Sequence, residues 1–338
     1  MPFDLSRTLV VGISATALFD LSEEDRRFQE QYEHNPEHAL EAYRRTMQER
    51  ENEPLSPGAG YPLVEALLNI NRFGAADEPP LVEVVVMSRN SPETGLRVLK
   101  NIRRLKLGVT RFAFTAGEPV TDYLDAFNVD LFLTTRAADA QAVINARSCA
   151  AAVLNAPPED LGALPTEQVR IAFDGDAVLF SEESELVYKT KGLEEFQKGE
   201  DERQDTPLEE GPYAAFLKKL GRLQERLPVR VEFSPIRIAL VTARNSPAEM
   251  RVVKTLQHWG VYIDEAFFLG GVEKTKVLKA FKPHIYFDDQ DVHLEPASKI
   301  VPAGKVPYPG GGETAGGGGV VAGGADAAGG FETAHESE

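Results

Sequence analysis

Four short motifs hold residue types that together could handle a phosphoryl group. Asp174-Gly175-Asp176 follows the apolar run Val169–Phe173, and Asp288-Asp289 closes another apolar run ending at Phe287. A strand that ends in Asp-x-Asp puts two carboxylates at the carboxyl edge of a parallel sheet, where α/β proteins build their sites. Alone, such a pair has a plainer reading as an acidic turn, but it is not alone. Neighbouring carboxylates repel one another and raise one pKa unless a cation sits among them. Hard oxygen donors favour Mg²⁺, which keeps several waters and accepts substrate phosphate. A third run, Arg237–Val241, ends in Thr242-Ala243-Arg244. Its hydroxyl and its N–H groups at a helix start suit an anion. Lys274, after Gly270-Gly271, brings an ammonium that holds phosphate as a point charge.

The elements that must position these groups read as alternating strands and helices. Strands are predicted at Arg7–Ile13, Val82–Met87, Arg111–Phe114, Leu131–Leu133, Val169–Phe173, Arg237–Val241, Ala266–Leu269 and His284–Phe287. Helical patterns fall at Glu93–Leu105, Thr121–Phe127, Gly211–Arg226, Pro247–Trp259 and Lys274–Phe281. Continuous apolar strands separated by helices argue for parallel sheets covered on both faces, so the fold class is α/β.

An internal repeat divides the chain. Arg89-Asn90-Ser91-Pro92 matches Arg244-Asn245-Ser246-Pro247, and Arg97-Val98-Leu99-Lys100 matches Arg251-Val252-Val253-Lys254 after a one-residue slip. Further on, Phe114, Gly117, Thr121 and Leu124 fall opposite Phe268, Gly271, Thr275 and Leu278. The expectation is two related Rossmann-like lobes from duplication, about 1–150 and 165–308, with a helical cap insertion about 182–230. In the first lobe Ser14 and Thr16 stand for Asp174 and Asp176, and Thr134 and Thr135 stand for Asp288 and Asp289. Val120 replaces Lys274, and either Met87 or Ser88 replaces Thr242. That lobe is either scaffold, or it closes over the substrate through Ser14, Thr16, Phe19, Arg89 and Asn90. In the second case Phe19 would stack on a base and Asn90 would hydrogen-bond it.

Composition sets outer limits. With 36 Lys plus Arg against 53 Asp plus Glu, the formal charge is −17. No basic run offsets it, which argues against nucleic acid or an anionic membrane as partner. No stretch approaches the ~18 apolar residues needed to span a bilayer, and the N-terminus does not read as a signal peptide, so a cytoplasmic protein is expected. One cysteine, Cys149, excludes an intrachain disulfide and a cysteine-rich metal site. His258 and Cys149 read as packing residues, and His284 as a capping or core histidine. The segment 309–338 holds eleven of the 28 glycines and reads as a flexible tail.

The four motifs, in this order and each after a strand, resemble the haloacid dehalogenase-like phosphatase superfamily. Residues 172–181, 240–244 and 283–290 are similar to the cytosolic 5′-nucleotidase type I family. So are Ala17-Leu18-Phe19, Glu51-Asn52-Glu53-Pro54, Ser56-Pro57-Gly58 and Val306-Pro307-Tyr308; the resemblance spans essentially residues 5 to 308. It implies a Mg²⁺-dependent hydrolase of nucleoside 5′-monophosphates, AMP among them. Asp174 would be the nucleophile and Asp176 the acid and base. Thr242 and Lys274 would hold the phosphoryl oxygens, with Ala243 and Arg244 in the same phosphate-binding turn. The metal would take Asp174, Asp288 and the Asp176 carbonyl, with Asp289 either a further ligand or an acceptor behind them. Lys276 and Lys279 are rivals for the lysine role. A phosphatase for another small ester, or a nucleotide-binding regulator without turnover, are the alternatives. A homo-oligomer is compatible with all three.

Overall fold

Mostly apolar runs of three to seven residues are too short for helices of any length, and they pair side by side into one ten-stranded sheet among the described residues. The computed structural model describes residues 5–309 apart from Ala76, 160–162 and 229–233. The Gly-rich tail expected over 309–338 therefore lies, but for Pro309, outside the described residues. The strands are β1 (Leu9–Ser14), β2 (Val82–Ser88), β3 (Arg111–Phe114), β4 (Leu131–Thr134) and β5 (Ala150–Leu154). The second half adds β6 (Val169–Phe173), β7 (Ile236–Thr242), β8 (Glu265–Phe268), β9 (Ile285–Asp288) and β10 (Ala303–Lys305).

Their spatial order is β8-β7-β6-β9-β10-β5-β4-β1-β2-β3. Every neighbouring pair is parallel except β10 with β5, which is antiparallel. Each half thus has the Rossmann-like order 3-2-1-4-5, shifted by five in the second half. The antiparallel seam has a consequence for function, because it turns the carboxyl edges of the two halves in opposite directions. Small residues line the seam. A side chain added at Gly304 would put its Cβ 3.0 Å from the Cβ of Ala152 and 3.1 Å from both Leu154 and Phe287.

Helices cover both faces. Between the first two strands of each half runs a crossover helix, Tyr61–Asn69 in one and Ala214–Glu225 in the other. The latter buries Phe216, Leu217, Leu220 and Leu223 in the main core. The region expected as a cap, 182–230, therefore divides: its last part is crossover, and only Glu183–Lys191 and Leu193–Glu202 are additional. The first half carries a similar extra pair, Ser22–Tyr32 and Pro36–Glu49, the second of these capped by the Asn35 side chain on His38 N–H with Pro36 in its first turn. One apolar core runs through both halves, from Leu9, Ile13 and Phe19 to Phe173, Tyr213 and Phe287. The Phe173 and Phe287 rings stack at 5.6 Å directly beneath the carboxyl edge of the second half.

His284 ties the start of β9 to its neighbours. Its Nδ1 accepts from the Arg170 N–H (3.0 Å), so the Nε2–H donates to the Pro165 carbonyl (3.1 Å). This arrangement needs the neutral ring, and burial pulls its pKa from 6.5 down to about 4. The unfolded chain then binds the extra proton below pH 6.5, so stability held above 6.5 is lost as pH falls towards 4, on the order of 3 kcal/mol. In thermal melts, the gap between wild type and His284→Gln should narrow from pH 7 to pH 4.5. A gap independent of pH would contradict this role.

Candidate active site

The carboxyl ends of β6, β7 and β9 converge on one acidic centre. Strand pairing continues one residue past β6, with the Asp174 N–H donating to the Phe287 carbonyl at 2.8 Å. This leaves the Asp174 side chain buried, 7% exposed, at the sheet edge. The chain then turns sharply. Ala177 takes a left-handed φ of 58°, and the N–H groups of Leu179 and Phe180 both return to the Gly175 carbonyl at 2.9 Å. Gly175 allows Thr242 to come close, since a Cβ there would lie 3.2 Å from Thr242 Oγ1.

Lys274 binds this centre together. Gly270 and Gly271, at φ 58° and 84°, turn the chain before it. Its ammonium lies 2.9 Å from Asp174 Oδ1 and 2.7 Å from Asp288 Oδ2. Lys274 is buried, whereas the rival Lys276 and Lys279 are exposed on the following helix. Asp288 is wholly buried; its Oδ1 accepts from the Gln290 N–H at 2.8 Å and its Oδ2 also takes the Tyr286 hydroxyl. Asp289 accepts from the Tyr308 hydroxyl. One carboxylate oxygen from each of Asp174, Asp288 and Asp289 lies within 4.8 Å of the others. Three carboxylates thus face one ammonium. Burial pushes the Asp174 carboxyl up to about 8, with Asp288 and Asp176 adding to the shift while Lys274 opposes it. The excess negative charge favours a cation among these oxygens.

Asp176 points elsewhere. Both its oxygens are held by Arg244, from Nε at 2.8 Å and Nη2 at 2.6 Å. Its carboxylate is thus apart from the cluster of Asp174, Asp288 and Asp289, and the ligand expected from this residue was its main-chain carbonyl. The Arg244 side chain, from a turn expected to offer phosphate its N–H groups, is taken up by Asp176 and by Glu200 at 2.8 Å. Thr242 is buried and its Oγ1 accepts from the Arg244 N–H at 3.2 Å, while Ala243 between them is exposed. Sequence reasoning gave no role to Glu200, Arg251, Tyr286 or Tyr308. The repeat matching Arg97 with Arg251 was a signal for one of them; Glu200 was hidden in a uniformly acidic stretch.

Sheet register identifies the first-half positions that correspond to this centre. Ile13 pairs with Val86 as Phe173 pairs with Leu240, so Ser14 stands at Asp174 and Ser88, not Met87, at Thr242. There the hydroxyls satisfy one another: Ser14 Oγ and Thr16 Oγ1 are 3.0 Å apart, and Thr16 Oγ1 and Thr135 Oγ1 2.6 Å. Hydroxyls both donate and accept, so this cluster is satisfied without a cation.

The residues expected to close over a substrate are not brought to Asp174. β1 and β6 are five strand positions apart, about 24 Å at ~4.8 Å per strand, and their carboxyl edges point opposite ways. Ser14, Thr16 and Asn90 lie at the far edge, where Asn90 is buried and its Oδ1 accepts from the Tyr43 hydroxyl at 3.2 Å. Phe19 has 0% exposure, with its ring packed in the core 6.5 Å from that of Tyr61. It therefore offers no face to a base. Phe19→Ala should cost about 3–5 kcal/mol of stability, as core Phe truncations do, without changing KM. A raised KM with unchanged melting would restore the ligand-wall reading.

A Rossmann-like α/β sheet with, among the described residues, one lysine-bridged carboxylate centre at the carboxyl edge of one of its two halves defines the class of protein. Within that class, the sequence model of the 5′-nucleotidase family matches residues 1–312, and the chain belongs to that family. It is similar to human cytosolic 5′-nucleotidase 1B, with 36% identity over 298 residues. That match covers 86% of this chain and 47% of the relative, so the chain spans about half the length of that curated protein. No helix among the described residues is long and apolar enough to cross a membrane.

Proposed function

We propose that this chain is a Mg²⁺-dependent 5′-nucleotidase that hydrolyses nucleoside 5′-monophosphates through an aspartyl-phosphate on Asp174. The observation that carries the proposal is the buried trio Asp174, Asp288 and Asp289 around Lys274, in a chain of the 5′-nucleotidase family. A donor set made only of carboxylate oxygens fits a hard divalent cation such as Mg²⁺. Asp174, Asp288 and Asp289 would hold it, and when bound it neutralises charge on the phosphoryl oxygens and the nucleophile.

The chain's own residues then divide the work. An Asp174 carboxylate oxygen attacks phosphorus, and the bond to the ribose 5′-oxygen breaks as Asp176 supplies that oxygen with a proton. Lys274 and Thr242 hold the phosphoryl oxygens as charge spreads over them. Asp176 next takes a proton from the water that attacks the acyl phosphate, which releases inorganic phosphate and frees Asp174. Equal strand order in the two halves, and a constant offset of 154 residues relating Ser88, Arg97 and Phe114 to Thr242, Arg251 and Phe268, support duplication followed by loss of the first centre. The nucleoside wall then belongs to the second half, with the helix pair Glu183–Lys191 and Leu193–Glu202 beside the site acting as its cap.

The test is phosphate release from a panel of ribo- and deoxyribonucleoside 5′-monophosphates with Mg²⁺ present. AMP turnover that exceeds that of simple sugar phosphates is the expected result. Turnover of sugar phosphates alone would make it a phosphatase of another ester, and no turnover of any would leave a nucleotide-binding protein.

A further inference from the structure

We infer that Arg244 is a positioning residue for Asp176, fixed in turn by a buried charge array that reaches into the helix pair 183–202; the inference rests on the phosphatase reading above. Charges alternate along this array. Asp176 is forked by Arg244 at 2.6 and 2.8 Å, Arg244 Nη1 meets Glu200 Oε2 at 2.8 Å, and Glu200 Oε1 meets Arg251 Nη1 at 2.9 Å. Ser184 donates its hydroxyl to Glu200 at 3.0 Å, and Arg251 Nε donates to the Thr206 carbonyl at 2.8 Å. The side chains of Arg244, Glu200 and Arg251 are 2%, 1% and 3% exposed. The Arg244 guanidinium also lies over the Phe196 ring, 5.7 Å from its centroid. A planar fork held on three sides fixes the carboxylate it grips in both distance and plane.

The first half supplies an internal control. It keeps a corresponding buried pair, Arg97 Nη1 on Glu24 Oε1 at 2.5 Å, although its own edge carries no carboxylate pair. The pairing of Arg251 with Glu200 is therefore scaffold that both halves share. What the first half lacks is the other end of the array: Asn90 stands at Arg244 and Thr16 at Asp176, and Asn90 turns to Tyr43 instead. Arginine at this position accompanies the carboxylate that must face the leaving oxygen. The array also makes the placement of Asp176 depend on the docking of helix Leu193–Glu202, which carries Glu200.

A general acid matters most for a poor leaving group, which gives a readout that a purely structural pair would not move. Arg244→Lys keeps the charge and loses the fork. Its kcat for AMP should fall roughly 10- to 100-fold, with less than a threefold change for p-nitrophenyl phosphate and little change in KM for either. A rise in KM for both substrates would place Arg244 on the phosphoryl group and overturn the proposal. So would an equal fall in kcat for both, or no change at all. If Arg244→Lys does not melt cooperatively, Glu200→Gln loosens the same fork from behind. It should show the same selective loss, in smaller degree, and equal loss on both substrates would again overturn the proposal. Inactivity of the wild-type chain on both substrates would overturn the phosphatase reading itself, a pattern none of these variants produces.

Discussion

Asp174→Asn is expected to lower AMP hydrolysis by roughly 10⁴-fold or more, the scale seen when a covalent nucleophile is removed. The effect is large because nothing nearby can substitute. Asp288 is wholly buried with both oxygens engaged by Lys274, Tyr286 and Gln290, and Asp176 is held by Arg244. An amide is nearly isosteric with the carboxylate, so the fold should persist. Losing one of three clustered negative charges also relieves repulsion, and the melting temperature should not fall. Activity loss with an unchanged or raised melting temperature is the combined signature. Retention of a tenth or more of the activity would remove Asp174 from the chemistry.

Removal of divalent cations should have the second-largest effect. A carboxylate nucleophile and a phosphate dianion repel, and Lys274 alone does not balance three buried carboxylates. Chelation should lower AMP turnover by about 10³-fold or more, several kcal/mol of charge stabilisation, and added Mg²⁺ should restore it. The same ion should raise the melting temperature of the resting protein, because it binds the folded cluster and not the unfolded chain. Asp289→Asn should weaken that thermal shift. Full activity in EDTA, with no thermal response to Mg²⁺, would contradict a metal centre here.

Much of this site was legible because its motifs sit where strands stop. Val169–Phe173 and Arg111–Phe114 form strands over those bounds, Arg237–Val241 gains one residue at each end, and His284–Phe287 shifts by one to Ile285–Asp288. The seam strands were not legible. Ala150-Ala151-Ala152 and Ala303-Gly304 lack the β-branched and aromatic residues that mark strands, because the close approach at Gly304 admits nothing larger. Missing them hid the antiparallel junction, and with it the fact that the two carboxyl edges face apart. From that followed the placing of Ser14, Thr16 and Asn90 around the substrate.

The match of Arg89-Asn90-Ser91-Pro92 with Arg244-Asn245-Ser246-Pro247 left open on which side the one-residue slip falls. Strand register aligns Asn90 with Arg244, one residue away from the letter match. The tetrapeptide is thus the slipped segment, while Arg97 with Arg251 and Phe114 with Phe268 are in register. Arg244 looked like an anion ligand because it follows Thr242 at a helix start. Besides Asp176 it binds Glu200, which lies 44 residues away along the chain among many other acids. Only the folded arrangement singles that glutamate out.

Covalent catalysis on Asp174 passes through a phospho-enzyme, and that species can be trapped. The enzyme would be quenched during turnover of AMP labelled in its phosphate, reduced with borohydride to convert any acyl phosphate to a stable alcohol, and mapped by peptide mass spectrometry. The expected result is modification of Asp174 alone, absent from Asp174→Asn and absent without Mg²⁺. Turnover with no trapped species, or modification at Asp176, Asp288 or any residue of the first half, would contradict it.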